Sequence, residues 1–310
     1  MSKFVSIAIA LLTVSIIECK VDVKFAPYFY VQNGIDLANV KQQTGIQGLT
    51  LAFALAQWGS CTPSFDAGPV DSPALVQQFN NFRNSGGQII LSTGGAAGTY
   101  LDNVCGNADN LANAYIKAIK STGAVGLDLD IEEDIPYDIV MQAVKKVQQQ
   151  TGVTVSITVA SDENGLGARA KLAIEAAKRA GTTIDLVNPM AMDFPKSPNS
   201  PTYGQAVVNC AEAVKRQLQQ YWPQKSSAQL YGMLGVTPMI GVNDCCGALF
   251  TLNDAQQLLQ YARTNRIGRI GFWSLNRDQQ CPGGSQQLSA TCSGVQQSSY
   301  QFAKTLAQFK

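Results

Sequence analysis

A chain of 310 residues with 45% hydrophobic and 15% charged side chains can bury a sizeable core, and its formal charge of +1 gives no global attraction to nucleic acid or other polyanions. It contains no histidine, which removes Ser-His and Cys-His nucleophile pairs and histidine-built zinc sites together. Catalysis must therefore rest on carboxylates, hydroxyls or thiols, and neither a metal nor an organic cofactor is expected.

The chain opens on Met1-Ser2-Lys3 and an apolar run over 4–17 that ends at Glu18-Cys19-Lys20. A charged start followed by a short apolar stretch predicts a secretory signal over 1–19, and the run is too short for the ~20 residues a membrane span needs. The expected product is a secreted, extracellular monomer with no membrane association once the leader is removed. Eight cysteines suit an oxidising compartment. Cys61 is expected to pair with Cys105, and Cys281 with Cys292, the second bond stapling a Gly/Ser-rich loop. Cys210, Cys245 and Cys246 receive no assignment, because spacing does not fix connectivity and adjacent cysteines rarely bond to each other.

Short β-rich apolar runs then alternate with longer amphipathic stretches. Strands are predicted over 25–31, 49–55, 88–92, 125–131, 153–160, 184–190, 230–236 and 269–274, nearly all hydrophobic as parallel strands buried on both faces should be. Between them lie helical patterns such as Leu111, Tyr115, Ile116, Ala118 and Ile119, or Ala206, Val207, Ala211, Val214 and Leu218. Such alternation means parallel strands joined by crossover helices, and eight units favour closure into a barrel. The expected fold is α/β, a single (β/α)8 TIM barrel over 20–310.

The strand over 125–131 and the residue after it carry the chemistry. Side chains two apart on a strand share a face, so Asp128, Asp130 and Glu132 point one way and Leu127, Leu129 and Ile131 the other. Three carboxylates converging on a barrel interior cannot all ionise, so protons are retained and pKa values pushed apart, which suits a general acid. Glu132 comes last, at the C-terminal mouth where barrel enzymes work. A calcium site is the alternative use of such acids, but calcium loops are flexible and carry a turn glycine, whereas Leu-Asp-Leu-Asp-Ile-Glu reads as a stiff strand.

These residues resemble the D-G-x-D-x-D-x-E pattern of the glycoside hydrolase family 18 chitinases, bacterial-type and without the chitinase insertion domain, with Val125 where the first Asp often stands. Ser92-Thr93-Gly94-Gly95 resembles the S-x-G-G motif of strand three, Met190-Ala191-Met192-Asp193 the M-x-Y-D motif of strand six, and Phe272-Trp273-Ser274 carries the floor tryptophan of strand eight. The resemblance implies an endo-acting chitinase that takes chitin or chito-oligosaccharides by a retaining, substrate-assisted mechanism. Glu132 would be general acid and base, Asp130 would orient the acetamido group, and Asp128 would share a proton with Asp130.

Asp193 and Trp273 are expected to bind substrate, although Asp193 also reads as a loop-capping residue. Met192 stands where the family's tyrosine holds the acetamido group, and a hydroxyl from Tyr28 or Tyr30 is expected to compensate. Ser92, Gly94 and Gly95 are expected to support the site rather than touch substrate, while Tyr203, Asn188, Met239 and Asn243 lie at strand ends where they would line the cleft. The short stretch between the last two strands leaves no room for an extra α+β domain, which predicts a shallow, open cleft. Two alternatives remain open: a catalytically inactive chitin-binding lectin, and an endo-β-N-acetylglucosaminidase acting on N-glycans.

Overall fold

A computed structural model describes residues 23–310; the expected leader over 1–19 lies outside them. Among the described residues eight strands build the barrel, in chain order: β1 (Tyr28–Tyr30), β2 (Gly48–Ala56), β3 (Gln88–Gly94), β4 (Gly126–Ile131), β5 (Thr154–Asp162), β6 (Leu186–Met190), β7 (Gly235–Val236) and β8 (Arg269–Ile270). Each is followed by a helix: α1 (Leu37–Thr44), α2 (Pro73–Asn84), α3 (Ala108–Thr122), α4 (Tyr137–Thr151), α5 (Ala168–Ala180), α6 (Tyr203–Tyr221), α7 (Leu252–Asn265) and α8 (Gln301–Leu306).

Parallel ladders join β1 to β2, β2 to β3, and so on to β6. Single parallel bridges, Val187 to Leu234 and Met190 to Thr237, carry the pairing from β6 to the β7 region. From β7 it passes to β8, and the bridge from Ile270 to Phe25 returns it to the first strand. The sheet thus closes on itself, as the alternating pattern predicts. Outward-facing residues of the strands, Leu127, Leu129 and Ile131 among them, pack against the helices in one continuous apolar core. The inner face is different. Thr50, Ser92, Asp128, Ser156, Thr158, Asn188 and Thr237 are all buried, so polar side chains occupy ground that branched apolar residues usually fill in such barrels.

The helices have local reasons to begin where they do. Asn107 accepts hydrogen bonds from the backbone N–H groups of Asp109 and Asn110 at the start of α3, and the left-handed Gly123 ends it. One strand expectation fails. The run over 230–236 contains a helical turn, Ser227–Gly232, because Ser226 and Gln229 form a reciprocal capping box; only Gly235–Val236 is left as strand. The ends at 25–31 and 269–274 are likewise shorter than their apolar runs. Between β7 and β8 lie a two-residue hairpin, Gly241–Val242 with Leu249–Phe250, and α7, so no additional domain occupies this stretch.

Among the described residues three disulfides form. Cys61–Cys105 and Cys281–Cys292 are the expected pairs, and Cys245–Cys246 corrects the expectation that these neighbours stay apart. Cys210, buried in α6, has no disulfide partner among the described residues. Among the described residues no helix is long and apolar enough to cross a membrane.

The capping box at the start of α7, in which Thr251 and Asp254 satisfy each other's backbone N–H groups, gives a direct stability test. Thr251→Ala is expected to cost about 1 kcal/mol, read as a lower urea midpoint with unchanged slope, without altering the cleft.

Candidate active site

The C-terminal ends of the strands surround a cleft of about 430 Å³. Asp130 from β4 and Glu132 just beyond it lie in its wall with Met190 at the end of β6, Met192 and Asp193 just after it, Trp273 from beyond β8, and Tyr28 and Tyr30 from β1. Among the described residues five carboxylates line it (Asp66, Asp130, Glu132, Asp193 and Asp244), and no lysine or arginine does.

Asp128 lies deepest, 1% exposed. Register explains its surroundings: Ser92 on β3 and Ser156 on β5 are its direct neighbours across the two ladders, and parallel neighbours turn their side chains to the same face. Oδ1 accepts from Ser156 Oγ at 2.5 Å and Thr158 Oγ1 at 2.8 Å, and Oδ2 accepts from Ser92 Oγ at 2.7 Å and the Tyr28 hydroxyl at 2.9 Å. Four hydroxyls thus give the acceptor-only carboxylate a solvation shell that water would otherwise supply. With its oxygens so occupied, Asp128 cannot serve as a calcium ligand without breaking that shell.

Asp130 is 4% exposed, and its Oδ1 has no hydrogen-bond partner. Burial first, then the charges of Glu132 and Asp128, push its pKa well above the ordinary carboxylate range. Glu132 is half-buried; burial and then Asp193 and Asp244 raise its pKa, against a smaller opposing pull from Arg169. The strand therefore presents an enclosed acceptor and, beside it, a carboxyl biased toward its acid form.

Glycine allows the close approach around these acids. Gly94 and Gly95 have φ of 101° and 92°, a region that side-chain-bearing residues rarely enter. A Cβ on Gly94 would lie 2.0 Å from the Asp130 carbonyl oxygen, and one on Gly95 would lie 2.6 Å from the Phe53 ring. That ring stacks on Trp273 with centroids 5.7 Å apart and planes 16° from parallel, and Tyr30 meets Trp273 edge-on at 6.3 Å. The peptide bonds Ala52–Phe53 and Trp273–Ser274 are cis.

The supporting residues divide. Tyr28 lines the cleft, but its hydroxyl is committed to Asp128, lies 2.9 Å from Thr158 Oγ1 and accepts from Asn188 at 3.3 Å. It is therefore not free to replace the tyrosine absent at Met192. Tyr30 does not replace it either, since its hydroxyl donates to Asp66. Thr158, Ser161 and Thr237, the other hydroxyl-bearing residues of the wall, donate to Asp128, the Val159 carbonyl and Asn188. Asp193 caps a loop, as one reading of it expects: at φ 58° its Oδ1 accepts from the N–H groups of Asp244 and Cys245, and the residue also borders the cleft.

Asn188 sits behind Tyr28 rather than in the wall. Tyr203 stacks on Phe194, Met239 is buried, and Asn243 ties the Met239 and Gly241 carbonyls, so none of these three lines the cleft. Sequence reading missed Phe53, Asp66, Asp244, the hydroxyls of Ser156 and Thr158, and Tyr100. The Tyr100 hydroxyl accepts from the Glu132 backbone N–H at 3.1 Å and donates to the Gly95 and Asp130 carbonyls at 2.7 and 3.1 Å.

The family model for glycosyl hydrolases family 18 matches residues 24–241. A probable bifunctional chitinase/lysozyme of Escherichia coli is 30% identical over 309 residues, spanning 92% of this chain and 34% of that protein. Endochitinase 11 of Metarhizium anisopliae is 30% identical over 273 residues, 82% of this chain and 52% of its own length. The chain thus spans about a third and about half of these curated relatives. The crystal structure of the catalytic domain of a hyperthermophilic chitinase from Pyrococcus furiosus superposes with a TM-score of 0.85 at 35% identity, covering 93% of this chain and 95% of that one. With the acidic strand at its barrel mouth and a family match across most of its length, the chain belongs to glycosyl hydrolase family 18.

Proposed function

We propose that this protein is a secreted, endo-acting chitinase that hydrolyses β-1,4-linked N-acetylglucosamine chains with retention of configuration. The observation that carries the reading is the partnerless Oδ1 of Asp130, a buried acceptor on the cleft wall next to a half-buried Glu132 of raised pKa. A buried acceptor without a donor is costly, and the N–H of a 2-acetamido group would satisfy it. In this reading Glu132 gives its proton to the glycosidic oxygen as the bond from the anomeric carbon breaks, its electrons leaving with that oxygen. The carbonyl oxygen of the acetamido group bonds the anomeric carbon from the opposite face, forming an oxazolinium ion.

The nitrogen of that ion keeps its hydrogen bond to Asp130, with the hydroxyl-solvated Asp128 beneath. Glu132, now a carboxylate, takes a proton from water as the water opens the ring, which restores the acid and the original stereochemistry. No second enzyme carboxylate is needed as nucleophile. Trp273, backed by Phe53, offers an aromatic surface to the C–H face of the sugar. The thioethers of Met190 and Met192 supply apolar contact where no unengaged hydroxyl stands. The short hairpin and helix between β7 and β8 support an open cleft and mid-chain cleavage, and the apolar run over 4–17 supports export.

Glu132→Gln is expected to lower kcat/KM on a chito-oligosaccharide by about 10²- to 10⁴-fold with binding retained; wild-type turnover in this variant contradicts the assignment. If the wild-type protein binds but produces no cleavage at all, the lectin reading stands instead. Product profiles of a long oligosaccharide are expected to show mixed lengths from the first minutes, whereas disaccharide alone from one end would overturn endo action.

A pH profile tests the electrostatics. The carboxylate of Asp244 raises the Glu132 pKa, so removing it lets Glu132 lose its proton at lower pH. Asp244→Asn is accordingly expected to move the alkaline limb of kcat/KM downward in pH; an unmoved or upward-moving limb refutes the coupling.

A further inference from the structure

We infer that Tyr100 is a positioning residue for the proposed chemistry: through the backbone N–H of Glu132, its phenol sets how far the Glu132 carboxyl stands into the cleft. The inference rests on the reading of Glu132 as proton donor. Its basis is the way the ladder between β3 and β4 ends. The last residue pair is Gly94 with Asp130, and the last backbone bond runs from Gly95 N–H to the Asp130 carbonyl at 3.0 Å.

Beyond it β3 turns away through the two glycines of positive φ. Successive residues of a parallel strand direct their backbone groups to alternate neighbours, so the amide of Glu132, like that of Asp130, faces the side that β3 has left. Without a replacement this N–H would lack a ladder partner where the strand must hold its catalytic side chain.

The Tyr100 hydroxyl is that replacement. It accepts from Glu132 N–H at 3.1 Å and donates to the Gly95 carbonyl at 2.7 Å, with the Asp130 carbonyl at 3.1 Å. One oxygen thus bridges the splayed strand ends. The ring is 2% exposed, and its Cε2 would lie 3.4 Å from a Cβ placed on Gly94. Its own seat is rigid. Thr99 accepts from Ala56 N–H at 2.8 Å on the end of β2, and Cys105, which closes the single helical turn Leu101–Val104, is bonded to Cys61. Burial first raises the phenol pKa above its usual value, which favours the protonated hydroxyl that this bridge requires.

This role differs from ordinary core packing in what its loss would do. A misplaced acid harms the departure of a sugar, whose oxygen must be protonated, far more than the departure of a nitrophenol, which leaves as an anion. Tyr100→Phe keeps the ring and removes only the bridging oxygen. At a temperature where melting curves show variant and wild type both folded, its kcat/KM on a chito-oligosaccharide is expected to fall about tenfold or more. On the 4-nitrophenyl glycoside of chitobiose the fall is expected to stay within about threefold.

Equal losses on the two substrates, or no loss on either, overturn the proposal while leaving the reading of Glu132 intact. That reading fails separately if Glu132→Gln retains wild-type turnover. Tyr115→Phe is the control: this buried phenol donates to Asp102 at 2.9 Å and touches neither Glu132 nor the cleft. It is expected to change neither kinetic constant, and leaving-group-dependent loss in this variant as well would overturn the proposal.

Discussion

The structure depends on solvating one carboxylate without water. An isolated charge inside a protein costs several kcal/mol or more, and Asp128 sits at the bottom of the barrel with Asp130 two residues above it. Four hydroxyls, drawn from β1, β3 and β5, meet its two oxygens. That requirement explains why the inner face of this barrel is polar. Once Asp128 is satisfied, the next acid along the strand carries the cost, and burial, then the charges of Glu132 and Asp128, push the Asp130 pKa well above the ordinary carboxylate range. The sequence of environments from fully bonded to partnerless to half-exposed is what distinguishes three chemically similar groups on a single strand face.

A second constraint acts on the other side of the acids. Bringing β3 close enough for Gly95 to bond the Asp130 carbonyl leaves no room for a Cβ at Gly94, and Gly95 in turn admits the Phe53 ring that stacks on Trp273. Strand spacing and aromatic floor are therefore linked through a four-residue motif whose two hydroxyls, Ser92 and Thr93, bond Asp128 and the Ala54 carbonyl. Ser92 bonds Asp128 at one end of the motif, and the glycines shape the backbone at the other.

Much of this was legible before the structure. Nearly continuous apolar runs marked β2 through β6, and the period of two on β4 separated the acids from the leucines facing the helices. Asp193 and Trp273 were found through motif resemblance, and both border the cleft. The run over 230–236 was misread although Ser226 and Gln229 already spelled a helix start. Ser156 and Thr158 also left a signal, alternating with Val155, Ile157 and Val159 on a strand that points them inward. Phe53 and Tyr100 left none, because their meaning lies in contacts with Trp273 and Glu132, which no local pattern joins. Tyr28 borders the cleft, as its place on the first strand suggests, but the commitment of its hydroxyl to Asp128 is likewise a contact that no local pattern joins.

The wall of the cleft has one further property with reach beyond contact distance. Acidic side chains line it from Asp66 on one rim to Asp244 on the other, with no basic group among the lining residues, in a chain whose formal net charge is only +1. Its potential is therefore a local feature, opposite in sign to the molecule as a whole. Over a screening length of about 8 Å at physiological salt, an anionic group approaching the cleft meets repulsion before it touches any side chain, while a neutral one does not. Discrimination by charge thus precedes any by shape.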